Sequence, residues 1–301
     1  MTDNAMPLII YIPGLLPKPE PEKHQEALLR CLLAGVRRVD ARVATEIEAN
    51  DSAFKLVSWT YDFYHEHRDI SIDTEAIAAV IEQKEAADTD VEEATSWKRR
   101  VARSLYTLGD LMPFLIPHVA NERMEVHLRD LRRYIRDDND IAAHTRRMLK
   151  VPLQAAALAH RPVLLIAHSM GSVIAYDSLW ELSHMAPDRA QVDLLLTMGS
   201  PLGQRYIQNR IKGADKSGYG RYPANIRRWK NLAAVGDLTA LDRQLSNDFT
   251  EMLELGLLEG FEDEAIYTHY RLNGDLNVHA EYGYLVNEKT AHTIVSWWRG
   301  Q

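Results

Sequence analysis

The sequence predicts an α/β chain: a mostly parallel central sheet flanked by helices, with a helical insertion. Three observations carry that expectation. Apolar runs of strand length recur at residues 8–12, 54–59, 163–167, 192–198 and 229–235, separated by stretches of helical spacing. One of them passes through a tight turn straight into a helix, where residues 162–177 read PVLLIAHSMGSVIAYD. Residues 69–160 hold helical patterns and no strand. The expected division is therefore a core from 1–68 and 161–301, with 69–160 as a predominantly helical cap or lid.

Composition narrows the class. A chain of 301 residues, 46% hydrophobic and 26% charged, suits a globular protein with one large domain, or one domain plus an insertion. A formal net charge of -8 argues against nucleic acid as a partner. Cys31 is the single cysteine and has no partner for an internal disulfide; within LLRCLLAGV it reads as a core thiol. The run at 7–12 is too short for a secretory signal and leads directly into PGLLPKPEP, and no apolar run is long enough to cross a bilayer. Cytoplasm is the expected compartment.

The elements follow in order. Residues 8–12 are apolar and β-branched and stop at Pro13-Gly14, as a buried first strand does. Pro17, Pro19 and Pro21 stiffen the next loop, and 22–39 is an amphipathic helix with Leu28, Leu29, Leu32, Leu33 and Val36 inward. Residues 54–59 (FKLVSW) alternate and close on an aromatic residue, a second strand. Tyr61 and Tyr64 lie beyond its carboxyl end, where ligands bind in open α/β sheets; they either line an acyl or alcohol pocket or pack. His65 and His67, with Glu66 and Asp69, have no partner spacing that supports zinc, so no metal is expected.

From 69 to 160 the helical patterns run over 74–87, 94–111, 121–135 and 141–159, the last interrupted at Pro152. A crossover between parallel strands needs far less chain, hence the cap or lid over the carboxyl ends of the strands. Its apolar piece LMPFLIP, 111–117, either meets a greasy substrate, a membrane face or a partner subunit, or is a buried helix–helix connection. RDLRRYIRDD, 129–138, is mixed in sign and reads as a solvated helix face. Residues 192–198 (VDLLLTM) form the strand after the turn-and-helix. Residues 204–230 are irregular and basic, with eight cations against Asp215 alone; they either attract an anionic substrate or balance an acidic chain. Residues 229–235 with Gly236-Asp237 read as strand and turn, and 266–272 as a last strand. His279 follows in a loop, and a final helix over 287–298 is capped by Asn287.

Ser169 sits at the apex of the strand–turn–helix unit. Such a turn crowds the backbone, so small residues are favoured two before and two after, and Ala167 and Gly171 supply them. The turn lifts the hydroxyl above the sheet edge and points the Met170 N–H, at the helix start, to where an acyl oxyanion develops. On AHSMGSVIAYD the chain resembles the α/β-hydrolase superfamily, especially its esterase and lipase-like members, with Ala167 where many members have Gly. The resemblance covers 7–62 and 161–298.

What the resemblance implies is more specific. In that superfamily the loop after the first strand supplies a second oxyanion N–H, often after a His-Gly pair. Here Pro13 replaces the His, which assigns the donor to Leu15 with Leu16 as the alternative, or leaves a Pro-Gly turn without catalytic duty. The spacing from Trp229 to Asp237 matches a Trp-x-Asn…Asp pattern of similar serine esterases, whose Asp is the triad acid; Asp242, in the same loop, is the alternative. The superfamily order Ser, Asp, His then selects Ser169, Asp237 and His279. His269 falls inside a strand pattern, His292 in the terminal helix, and the His168 side chain is expected to point away from its neighbour Ser169. The implied activity is hydrolysis of a small-molecule carboxylic ester through an acyl-enzyme, without cofactor or metal. A thioesterase, amidase or acyltransferase uses the same triad, and a non-catalytic interaction protein uses the same scaffold. Homo-oligomerisation is left open.

Overall fold

Six strands form one sheet in the computed structural model, which describes residues 6–96, 99, 102, 122–185, 190–240 and 243–300. They are β1 (Leu8–Ile12), β2 (Phe54–Leu56), β3 (Val163–His168), β4 (Val192–Met198), β5 (Ile226–Ala234) and β6 (Gly260–Ile266). The order is β2-β1-β3-β4-β5-β6, and every neighbouring pair is parallel. Helices flank the sheet, so the architecture is α/β, α/β-hydrolase-like in arrangement. The chain starts at β1, moves out to β2, then returns to β3 on the other side of β1. The strand order therefore reverses between β1 and β3, and in open α/β sheets ligands bind beyond the carboxyl ends at such a reversal.

Side chains of β1 alternate between two cores. Ile10 and Ile12 join Leu165 and Ala167 on one face; Ile9 and Tyr11 join Leu164 and Ile166 on the other. Burial on both faces is why these strands read as unbroken apolar runs. Truncating Ile9 or Ile10, both at 0% exposure, to Ala costs about 2–5 kcal/mol.

The helices in chain order are α1 (Pro21–Val39), α2 (Ala41–Glu48), α3 (Thr60–Tyr64), α4 (Thr74–Glu82), α5 (Asp88–Ala94), α6 (Glu122–Arg136), α7 (Ile141–Leu158), α8 (Met170–His184), α9 (Arg205–Gln208), α10 (Leu245–Asp248), α11 (Thr250–Glu254), α12 (Glu281–Val286) and α13 (Glu288–Arg299). Helices α7 and α8 cover one face of the sheet; α1, α12 and α13 cover the other. Cys31 is buried and free on α1, and burial pushes its thiol up to about 12. Asp40 caps α2 by accepting from the N–H groups of Arg42 and Val43, and Asn287 caps α13 by accepting from Lys289.

Several elements differ from the sequence expectation. Strand β2 stops at Leu56 rather than residue 59, because its partner runs out: Val57 still donates to the Tyr11 carbonyl, and β1 ends at Ile12, just before Pro13. The last sheet strand is β6 at Gly260–Ile266, not 266–272. Its sequence GFEDEAI lies at an edge, where charges are admissible, and Lys230 and Lys289 pair with Glu264. Arg271–Leu272 instead pairs antiparallel with Asp275–Leu276 in a two-stranded ribbon. Helix α7 runs uninterrupted through Pro152, whose ring is buried in the core.

Described parts of 69–160 pack onto the scaffold: α7 on α8, α6 on α7, and α4 on α1 and α12. The face of 129–138 is split, not wholly solvated. Asp130, Leu131 and Tyr134 are buried while Arg129 and Arg132 are exposed, which is how an amphipathic helix divides. The expected helix over 94–111 lies mostly outside the described residues, and the apolar piece 111–117 wholly so. The basic stretch is less irregular than expected, since β5 begins at Ile226 and takes in Arg227, Arg228 and Lys230. Its remainder is fastened to α8 by Tyr176 Oη and Trp180 Nε1, which donate to the carbonyls of Arg221 and Gly220. No helix among the described residues is long and apolar enough to cross a membrane.

Candidate active site

Ser169 links β3 to α8 with φ 53° and ψ -126°. A residue with a Cβ occupies that region only under constraint, at about 1–3 kcal/mol. The surroundings impose it. The Ser169 N–H donates to Met198 O at 2.8 Å, and its carbonyl accepts from Ser172 N at 2.9 Å and Ser172 Oγ at 2.6 Å. The Ser172 and Ser200 hydroxyls are 2.7 Å apart, which ties the turn to the loop after β4. Gly171 lets the helix approach the end of β1: a Cβ there would lie 2.4 Å from Ile12 O and 2.7 Å from Pro13 O. Gly14 abuts the serine itself, since a Cβ there would lie 2.7 Å from Ser169 Cβ.

The structure brings Ser169, His279 and Asp237 together, from the ends of β3, the loop before α12 and the end of β5. His279 Nε2 is 2.9 Å from Ser169 Oγ, and His279 Nδ1 is 2.8 Å from Asp237 Oδ2. The carboxylate only accepts, so Nδ1 carries the proton and Nε2 is left to accept from the hydroxyl. Asp237 is itself saturated: Thr239 N–H donates to Oδ1 at 2.8 Å and Tyr284 Oη–H to Oδ2 at 2.9 Å. Burial pushes the Asp237 carboxyl up, but the neighbouring His279 and the hydrogen bonds from His279, Thr239 and Tyr284 outweigh it and hold the group at about 2. Asp237 is buried, while the His279 side chain keeps 26% exposure. Asp242, the alternative acid, lies outside the described residues.

Among the described residues neither the Leu15 nor the Met170 N–H is spent on a hydrogen bond. The Leu16 N–H donates to Tyr64 Oη at 3.1 Å, and Leu16 has φ 74°. Tyr64 in turn donates to the buried Asp130 of α6 at 3.0 Å. Tyr64 thus fastens the loop after β1 to α6, while Tyr61 is 45% exposed and stacks on His67 at 4.5 Å. Among the described residues no group of three or more His, Cys, Asp or Glu is placed to hold a metal ion. His269 is not in a strand; it lies in the loop after β6, and its Nε2 contacts the carbonyls of Val80 and Gln83. His292 pairs with Glu288 on α13.

Sequence reasoning missed Tyr284, which links Asp237 to the end of β5 by also accepting the Ala234 N–H at 2.8 Å. It missed Glu281 as well, and it missed the seat of His168 beside His279, with ring centroids 4.8 Å apart. A tyrosine in YGYLV carries no periodic signal for such a role. Compared with protein-family models, with curated proteins and with solved structures, the chain matches none.

Proposed function

We propose that the protein is a serine hydrolase of the α/β-hydrolase type that cleaves a small-molecule carboxylic ester. The observation that carries this reading is the hydrogen-bonded chain from Ser169 Oγ through His279 to the buried Asp237, at 2.9 and 2.8 Å, at the point where the strand order reverses. Ser169 Oγ attacks the ester carbonyl carbon as its proton passes to His279 Nε2. Asp237 keeps the imidazole in the right tautomer and stabilises the cation. The oxyanion accepts hydrogen bonds from the Leu15 and Met170 N–H groups. Collapse of the tetrahedral intermediate breaks the bond to the alcohol oxygen, which takes the proton from His279. Water then repeats the cycle on the acyl-enzyme, with His279 as its base, and frees the acid.

The test is a fluorophosphonate probe on the purified protein, followed by peptide mapping. Adduct on Ser169, and none on the Ser169→Ala variant, is the expected result. An unlabelled wild type, or adduct on a different serine, overturns the reading. Matched p-nitrophenyl esters, thioesters and anilides of rising chain length then identify the acyl derivative that acylates fastest.

A further inference from the structure

Next to the Ser169–His279–Asp237 chain lies a second set of buried polar groups that no step above uses. Glu281 begins α12, two residues after His279. Its carboxylate accepts from Tyr11 Oη at 3.0 Å and Lys18 Nζ at 2.9 Å, and lies 3.0 Å from His24 Nε2. His168, the residue before the nucleophile, is buried beside it. His168 Nε2 is 2.9 Å from the main-chain carbonyl of His279. A carbonyl only accepts, so Nε2 carries the proton. His168 Nδ1 has no hydrogen-bond partner; it lies 3.9 Å from the Glu281 carboxylate. The ring is therefore a neutral donor. Burial, reinforced by repulsion from His279, pushes it down to about 3, which agrees. Neutrality suits the position, since a His168 cation 4.8 Å from the His279 ring would oppose the imidazolium that forms during turnover.

We propose that His168 is a positioning residue: its Nε2–H clamps the His279 carbonyl and so holds the imidazole within reach of both Ser169 and Asp237. Glu281 secures the same loop from the other side, through β1, α1 and the loop between them. The expected effect on rate rests on the hydrolase reading; the clamp itself does not.

Two variants separate a clamp from mere packing. His168→Phe keeps a ring against Tyr284, whose centroid is 5.7 Å away, and removes the donor. His168→Gln keeps a neutral donor and removes the ring. We expect fluorophosphonate labelling of His168→Phe to be about 10- to 100-fold slower than wild type, the scale of a displaced base, and His168→Gln to recover most of it. The low-field proton resonance of His279 Nδ1–H should be sharp in wild type and His168→Gln and broadened or lost in His168→Phe. A wild-type rate in His168→Phe, or His168→Gln slower than His168→Phe, overturns the proposal. Should His168→Phe not fold, His168→Gln decides alone: a wild-type ring resonance supports the clamp and its loss overturns it. An unlabelled wild type defeats the hydrolase reading instead, and the ring resonances then judge the clamp by the same criteria.

Discussion

Ser169 and His279 are held by different physics. Ser169 is fixed mainly by main chain and shape, with the Ser172 hydroxyl added on its carbonyl: its N–H on Met198 O, the absent Cβ of Gly171 against Ile12 and Pro13, and the absent Cβ of Gly14 against the serine itself. His279 is fixed by polar side chains: Asp237 on its ring, Asn277 Oδ1 on its N–H at 3.2 Å, and His168 on its carbonyl. Close packing tolerates pH and salt but not an added methyl. A polar network tolerates small changes of shape but depends on charge and proton position. The serine side is thus sensitive to volume, and the histidine side to protonation.

The largest expected effect removes the proposed nucleophile. Ser169→Ala should lower single-turnover ester cleavage by about 10⁶-fold, the scale of losing a triad serine, with an unchanged circular dichroism spectrum. Next comes the far end of the polar side. Asp237→Asn should lower the acylation rate by about 10⁴-fold by stabilising the wrong His279 tautomer, with substrate affinity little changed. A loss of tenfold or less would remove Asp237 from the relay.

The contrast itself is tested by pH. His168 is held at about 3 in the folded protein, against an unfolded value of about 6.5. The folded state therefore binds fewer protons, so this contribution is complete above pH 6.5 and is lost as pH falls toward 3, at about 1.4 kcal/mol per unit. Urea unfolding of wild type and His168→Gln at pH 7, 6, 5 and 4 should show the variant losing less stability on acidification; parallel curves would break the comparison. The smallest effect is steric. Gly171→Ala should cost about 1–3 kcal/mol of stability at pH 7, as overpacking does, and the cost should not vary between pH 7 and 4. A cost that grows with acidification would mean that the serine side is polar after all.

Legibility in the sequence followed burial. Strands β1 and β3 could be read because burial on both faces demands unbroken apolar runs, and β4 and most of β5 because their apolar stretches are buried too. Strand β6 could not, because an edge strand is held mainly by main-chain bonds to one neighbour and carries Glu262, Asp263 and Glu264 without penalty. Helices α2 and α12 escaped notice through their shortness, six or eight residues giving little periodicity to detect. Around the site, the turn at Ser169 was legible because its strain restricts the neighbours to Ala167 and Gly171. Asp237 and His279 were assigned through the resemblance and its chain order, helped by their places just after expected strands and by the poorer places of the other histidines.

The sequence by itself determined the sheet-building runs and the strained turn at Ser169, since both are local: apolar periodicity and small residues at fixed offsets act within a few positions. Only the tertiary structure decided that His279 reaches Ser169 across 110 positions, that Tyr284 donates to Asp237 across 47, and that His168 grips the His279 carbonyl across 111. Such bonds depend on where parallel strands end in space, and a hydrogen bond specifies a distance and an angle while leaving no pattern in the order of residues.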